Sequence, residues 1–331
     1  TLNDYSADAG LQYVICKIYN SPGAYTTTPL SENFTLNGRT VNVNAAYGGG
    51  GLFSINSTAS GGRCGSTTIR SFVSLSHGAF AYALGAKGDL TISNSNVDTY
   101  PELGVGAPIH ANNNVDISGP KKSTRMIYGD ASAVGTITGQ EYVLVPPFEI
   151  EEYSDNLTFP TTNAELYKTI AQEGEDSPHE GNLQYSGGGT YYVGPLYITG
   201  DLIVDAWTVV ILEGPLYVDG NFTVNNGVII GNEHVLCEGS VIITGGAYYG
   251  SEYIPVITSV YQDITVDGPG VVETVLYAPN GNLILNNVTL YGAAGGVNVL
   301  VGNSYIWYSE QLHGRADLPG SELYPLTYSY D

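Results

Sequence analysis

The side chains able to do chemistry in this chain are carboxylates, five histidines, three cysteines and a set of Asn-X-Ser/Thr sequons, and spacing limits what each can do. Asp201 and Asp219 lie in successive copies of one motif but at different places in it, Asp201 aligning with Asn221 and Asp219 with Thr199. Glycoside cleavage needs two carboxyl groups flanking one bond, and stacked copies that each offer a lone carboxylate supply no pair. A lyase acting on acidic sugars wants a cation near its cleft. Lys87, Lys121, Lys122 and Arg125 fall early in the repeats, and no Lys or Arg lies between Gly181 and Trp307. His77, His110, His179, His234 and His313 show no His-x-His or His-x-x-x-His spacing and read as surface or turn residues. The glycine runs at 48–51 and 187–189 lack the lysine of a phosphate loop, and no Gly-x-Ser-x-Gly elbow occurs. No catalytic residue and no cofactor is expected.

Two acidic runs, Glu149, Glu151, Glu152 and Asp155, then Glu173, Glu175, Asp176 and Glu180, have the oxygen chemistry of a calcium site. Neither has a calcium-loop spacing, so both read as solvated loops and a metal stays undecided. Sequons at Asn33, Asn56, Asn156, Asn221 and Asn287 are potential glycan sites. Cys16 falls in a helical segment and Cys64 in strands expected to pack on it, so the two could form a disulfide in an oxidising compartment. Cys237 aligns with Val218 and is expected as a buried thiol.

The elements that position these residues follow from composition and period. With 43 glycines, 16 prolines and 27 tyrosines in 331 residues, the chain favours strands joined by tight turns. A formal net charge of −22 excludes nucleic acid and anionic membranes as partners. Leu11, Val14, Ile15 and Ile18 form a helical stripe ended by Ser21-Pro22-Gly23. Alternating runs after Phe34, with Asn37-Gly38 between two of them, predict a small antiparallel sheet. Downstream, Gly194-Pro195-Leu196-Tyr197-Ile198-Thr199-Gly200-Asp201-Leu202-Ile203-Val204 recurs twenty residues later as Gly214-Pro215-Leu216-Tyr217-Val218-Asp219-Gly220-Asn221-Phe222-Thr223-Val224. Further copies begin near Val235 and Leu276, with weaker ones near Ala86, Ala111 and Ala133. Such a period is one turn of a parallel solenoid. The fold class is therefore all-β: a right-handed parallel β-helix preceded by a short helix and a small antiparallel sheet. Leu196, Ile198, Leu202 and Val204 point inward, while Tyr197 and Tyr217 point outward, where they read as plain strand formers, with a lateral contact to a neighbouring subunit as the alternative. The expected divisions are 1–25 (helix), 26–78 (meander), 79–144 (first β-helix segment), 145–189 (acidic insertion with a helix-like Ala164–Gln172, packed along the outside of the coil), 190–308 (second β-helix segment) and 309–331 (tail).

Ala7-Asp8-Ala9-Gly10-Leu11 is similar to the Ala-Glu-Ala-Gly-Leu segment that follows the membrane helix of PilX-like accessory pilins of type IV pilus systems. Phe80-Ala81-Tyr82-Ala83-Leu84, the coil repeats and Leu276-Tyr277-Ala278-Pro279-Asn280-Gly281 resemble the Gly/Asn-rich β-helix domain attached to that helix. Such pilins begin with a cleavage site and an apolar anchor that this sequence does not contain, so either an anchor was removed or assembly takes another route. The expectation is an extracellular, cell-surface structural subunit of a filament, pilus or layer. Its partners would be other copies of itself, pilus proteins and surface glycans. A carbohydrate-binding adhesin and a polysaccharide lyase or hydrolase are the alternatives. Solenoid ends expose unpaired strand edges, so a terminal coil or the nearly uncharged tail 323–330 is expected to dock on a neighbouring subunit by strand addition.

Overall fold

A computed structural model describes residues 2–20, 29–47, 52–61, 65–76, 78–100, 106–119, 127–143, 147–245, 253–309, 311–312, 315, 318–319 and 322–330. The chain divides into two compact units, 1–81 with 311–331, and 82–310. Among the described residues no helix is long and apolar enough to cross a membrane.

In the first unit, the predicted stripe lies on helix α1 (Leu2–Asn20), and the alternating runs form β1 (Leu30–Leu36), β2 (Arg39–Tyr47), β3 (Leu52–Ser60) and β4 (Ser66–Ser76). Asn37 and Gly38, both at positive φ, make the two-residue turn that antiparallel β1 and β2 require. Ala7, Leu11, Val14 and Ile18 bury one face of α1 against Val41, Val43, Phe53, Ile55 and Ile69. The tail does not stay free for a neighbour as expected. Its strand Glu322–Tyr330 pairs antiparallel with β4, completing the sheet order β1-β2-β3-β4-tail. Left bare, β4 would present a long row of unpaired backbone groups, and the chain covers that edge with its own end.

The second unit is a parallel solenoid. Leu196 pairs with Leu216 and Leu202 with Phe222, the vertical neighbours that the repeat predicts. One inward column runs Leu183, Leu202, Phe222, Val241, Ile264, Leu283, Val299, Leu90, Val115, Ile137, each pairing with the next. The order is not that of the sequence: the last coil, with Val299, stacks directly on the earliest, with Leu90. The chain therefore enters the stack partway along at 84–100 and climbs to one end at Ile150–Glu152. It then returns outside, starts again at the other end near Leu183–Tyr185, and climbs until Tyr305–Ser309 meets Asn96–Tyr100. Both ends of the stack are thus internal to the sequence, and the coil after Tyr305 exposes no terminal edge. The expected acidic insertion shrinks accordingly, since its two flanks are end coils. What remains outside is a strap at 153–176.

One corner of the stack is held by a ladder of Asn and Asp. Asp201 N–H donates to Asn182 Oδ1 (2.9 Å), Asn221 N–H to Asp201 Oδ1 (2.8 Å), Ser240 N–H to Asn221 Oδ1 (3.0 Å) and Asn282 N–H to Asp263 Oδ1 (2.7 Å). At the junction between the late and early coils, Asp89 N–H donates to Asn298 Oδ1 (3.0 Å), and Asn114 N–H donates to Asp89 Oδ1 (3.1 Å). Each rung gives a turn amide a partner that the strand ladder cannot.

Candidate functional site

The sheet that carries Leu196 and Leu216 inward presents Tyr197, Tyr217, Leu236, Thr258 and Tyr277 outward in register. The strap covers this column. Helix α2 (Ala164–Gln172) seats Ala171 and Tyr167 against Tyr197, Tyr217, Leu236 and Val260, so Tyr217 is 1% exposed. The alternative reading of the two tyrosines as a contact for a neighbouring subunit does not hold, since the strap occupies that face. Period 2 puts them outside the bore, but an apolar outer column needs a cover, and the chain supplies one itself.

Lys168 pins the helix in place. Its ammonium lies 5.0 Å from the ring centres of both Tyr197 and Tyr217. It donates to Asp219 Oδ1 at 2.8 Å and to Glu238 Oε1 at 3.3 Å. Partial burial works against its charge, yet the two carboxylates hold Lys168 protonated well above the ordinary lysine range. Tyr217 Oη donates to Glu238 Oε1 at 3.0 Å, and Tyr197 Oη donates to Asp219. Asp219, a lone carboxylate by sequence, thus belongs to a structural network.

Nearer the other end, the strap is clasped by Asn112. Its Nδ2 donates to Leu157 O and its Oδ1 accepts from Leu157 N–H, both at 2.8 Å. That two-way bond orients the amide, and Oδ1 then meets His110 Nε2 at 2.8 Å, which places the ring proton on Nε2. Nδ1 faces Ser132 Oγ at 2.8 Å. Burial pushes the pKa of His110 down. Tyr277 Oη donates to Pro160 O midway along.

Beside the strap lies a groove of about 540 Å³ lined by Lys87, Pro279, Asn280, Val260 and Tyr261 on the solenoid and by Pro160–Leu166 opposite. Lys87 Nζ donates to Pro279 O, and burial lowers its pKa. These residues come from four separate stretches, and sequence reasoning missed the groove because no local spacing signals it.

Of the sites read from sequence, Asn33 and Asn156 are exposed, Asn56 is half-buried on β3, and Asn287 is exposed at a corner with φ 55°. Asn221 is exposed too, but its amide joins the ladder at both ends, Nδ2 donating to Asp201 Oδ1 at 3.2 Å. Cys16 is on the exposed side of α1, and Cys64 lies outside the described residues, as do His77 and His313. Cys237 is buried beside Val218, its Sγ 2.9 Å from Gly239 O. His234 stacks on Tyr167 at 4.4 Å. Among the described residues, the acidic runs at 149–155 and 173–180 gather no cluster of three metal-ligating side chains.

Comparison with solved structures brings up the competence-associated pilin ComZ from Thermus thermophilus, 12% identical, with 98% of this chain and 96% of that chain covered at a TM-score of 0.35. No protein-family model and no curated protein matches the chain.

Proposed function

We propose that the chain is a non-catalytic structural subunit of an extracellular, pilus-related surface assembly, in which a helix-and-sheet unit makes the assembly contacts and the solenoid is displayed. The observation that carries this reading is the double-sided character of α1. One face is buried on the sheet, while the other leaves Leu2 54% and Tyr5 74% exposed. A helix whose only task was to cover its own sheet would carry polar residues there. The segment Ala7–Leu11 that resembles accessory pilins lies in this helix, and copies of the chain or other pilus subunits are the partners that such a stripe suits.

The test is to shear surface appendages from native cells and locate the chain by immunogold electron microscopy. Label along filaments is expected, and Tyr5→Glu should abolish it while leaving the thermal midpoint of the purified protein unchanged. Recovery of the chain only as dispersed particles, or Tyr5→Glu incorporating normally, would overturn the reading.

A further inference from the structure

Six coils of the solenoid place a left-handed residue at the turn that follows the strand of the Phe222 column. Asn226, Gly245, Gly268, Asn287, Asn303 and Asn94 fill it, all at positive φ. Asn and Gly are the residue types that tolerate this conformation. The coil of Asp205 is the exception. It carries one extra residue between Val204 and Val209 and places Trp207 there, at φ 66°.

Nothing in the fold repays the choice. The side chain of Trp207 is 83% exposed, so it contributes little packing. Below it the next coil runs through Gly187 and Gly188, both at positive φ and without side chains to shield the indole. A bulky aromatic held in a disfavoured backbone state with its ring in water points to a task outside folding.

The neighbours identify the chemistry. Asp205 opens the turn that Thr208 N–H closes on Asp205 O at 3.2 Å. Its carboxylate is gripped from both sides, by Gln184 Nε2 on Oδ2 and by Asn225 Nδ2 on Oδ1 at 3.2 Å. An open indole two residues from a fixed carboxylate and two amides suits a sugar ring, whose C–H face stacks on the aromatic while its hydroxyls bond the polar groups. No Lys or Arg lies between Gly181 and Trp307, and the Asp205 carboxylate disfavours an anionic sugar. We infer that Trp207, with Asp205, Gln184 and Asn225, forms a binding site for a neutral, flat hexopyranose chain. The site is independent of the assembly reading, since it needs no second copy.

The test uses the full chain carrying Trp307→Phe, which leaves Trp207 as the sole indole, titrated with cellohexaose and chitohexaose. Calorimetry on the unaltered chain serves if that variant fails to fold. Saturable quenching and a blue shift with a neutral oligosaccharide, and no response to polygalacturonate, are expected. Trp207→Gly, which suits the left-handed corner, should raise the thermal midpoint while weakening binding by about tenfold or more. The inference is overturned by silence with both neutral probes, by tighter binding of polygalacturonate, or by unchanged affinity of Trp207→Gly. A blue shift that grows with protein concentration in the absence of sugar would also overturn it, because a second copy would then be the occupant.

Discussion

Gly10 shows how a residue in a sequence motif acquires a physical meaning only in three dimensions. A Cβ there would sit 2.4 Å from Ser57 Oγ, 2.7 Å from Val41 Cγ1 and 2.9 Å from Val43 Cγ1, so α1 reaches β2 and β3 only because the position has no side chain. Gly10→Ala gains helix propensity but overpacks this contact, and a net loss of about 1–3 kcal/mol is expected from denaturant unfolding. Ser57→Ala removes a buried hydroxyl that has no hydrogen-bond partner and should cost nothing or stabilise. It should not rescue Gly10→Ala, because the two valine methyls remain. Cys237 is more legible: its alignment with Val218 places it in the bore from the repeat alone, whereas no pattern reveals the clearance at Gly10. Burial raises the Cys237 thiol to about 12. A raised folded pKa gives stability that is complete below the unfolded value and lost as pH rises through the folded one. The solenoid should therefore weaken above about pH 8.5, the ordinary thiol value. In the native chain Cys237 should resist iodoacetamide at neutral pH and react once unfolded, as peptide mass mapping would show.

The strap is the element that the sequence half revealed. Its helical run and its lack of repeat predict a helix outside the coil, and period 2 identifies Tyr197 and Tyr217 as outward. Neither signal says that the one covers the other, because Tyr167 and Tyr217 come together from distant parts of the chain and no repeat links them. Lys168 is the hindsight clue, a cation amid Glu165, Glu173, Glu175 and Asp176 whose partners, Asp219 and Glu238, are carboxylates of later coils. The clasp at the far end makes the strap pH-sensitive. Burial lowers the pKa of His110, outweighing the Asn112 hydrogen bond and the charge of Glu151, which both favour the protonated ring, and Tyr82 packs 5.3 Å away. A depressed folded pKa gives stability that is present above the unfolded value and lost as pH falls, so hold on the strap should weaken below pH 6.5. Proteolysis within 153–163 should accelerate between pH 7 and 5, and His110→Gln should flatten that dependence; equal acceleration in both chains would remove His110 from the account.

At the scale of the whole molecule, the repeat gives the columns but not their order. Each copy is chemically able to stack on any other, and the strongest copies, from Leu196 onward, naturally read as a continuation of the weaker ones upstream. The observed order moves the two ends of the stack to Ile150–Glu152 and Leu183–Tyr185, beside the strap that joins them. The coil at Leu84–Ala86 and the coil at Val299–Gly302 would both expose backbone edges, and they cover each other through Ala294–Leu84, Val299–Leu90 and Ile306–Val97. Ser304 N–H seals the seam on Ser95 Oγ at 3.0 Å across 209 residues of sequence. The first unit repeats the device in antiparallel form, with the tail strand on β4. Each unit is therefore closed by one stretch from before the strap and one from after it, and the strap is not needed to keep them together. A site for a specific protease inserted after Asp155 should yield, on cleavage, two fragments that co-elute in native buffer and separate only in denaturant. Val299→Asp buries an unpaired charge in the seam, a change of the kind that costs several kcal/mol, and should release the fragments after the nick at lower denaturant than the parent. Fragments that part in native buffer without that substitution would show that the seam pairings do not hold the stack together.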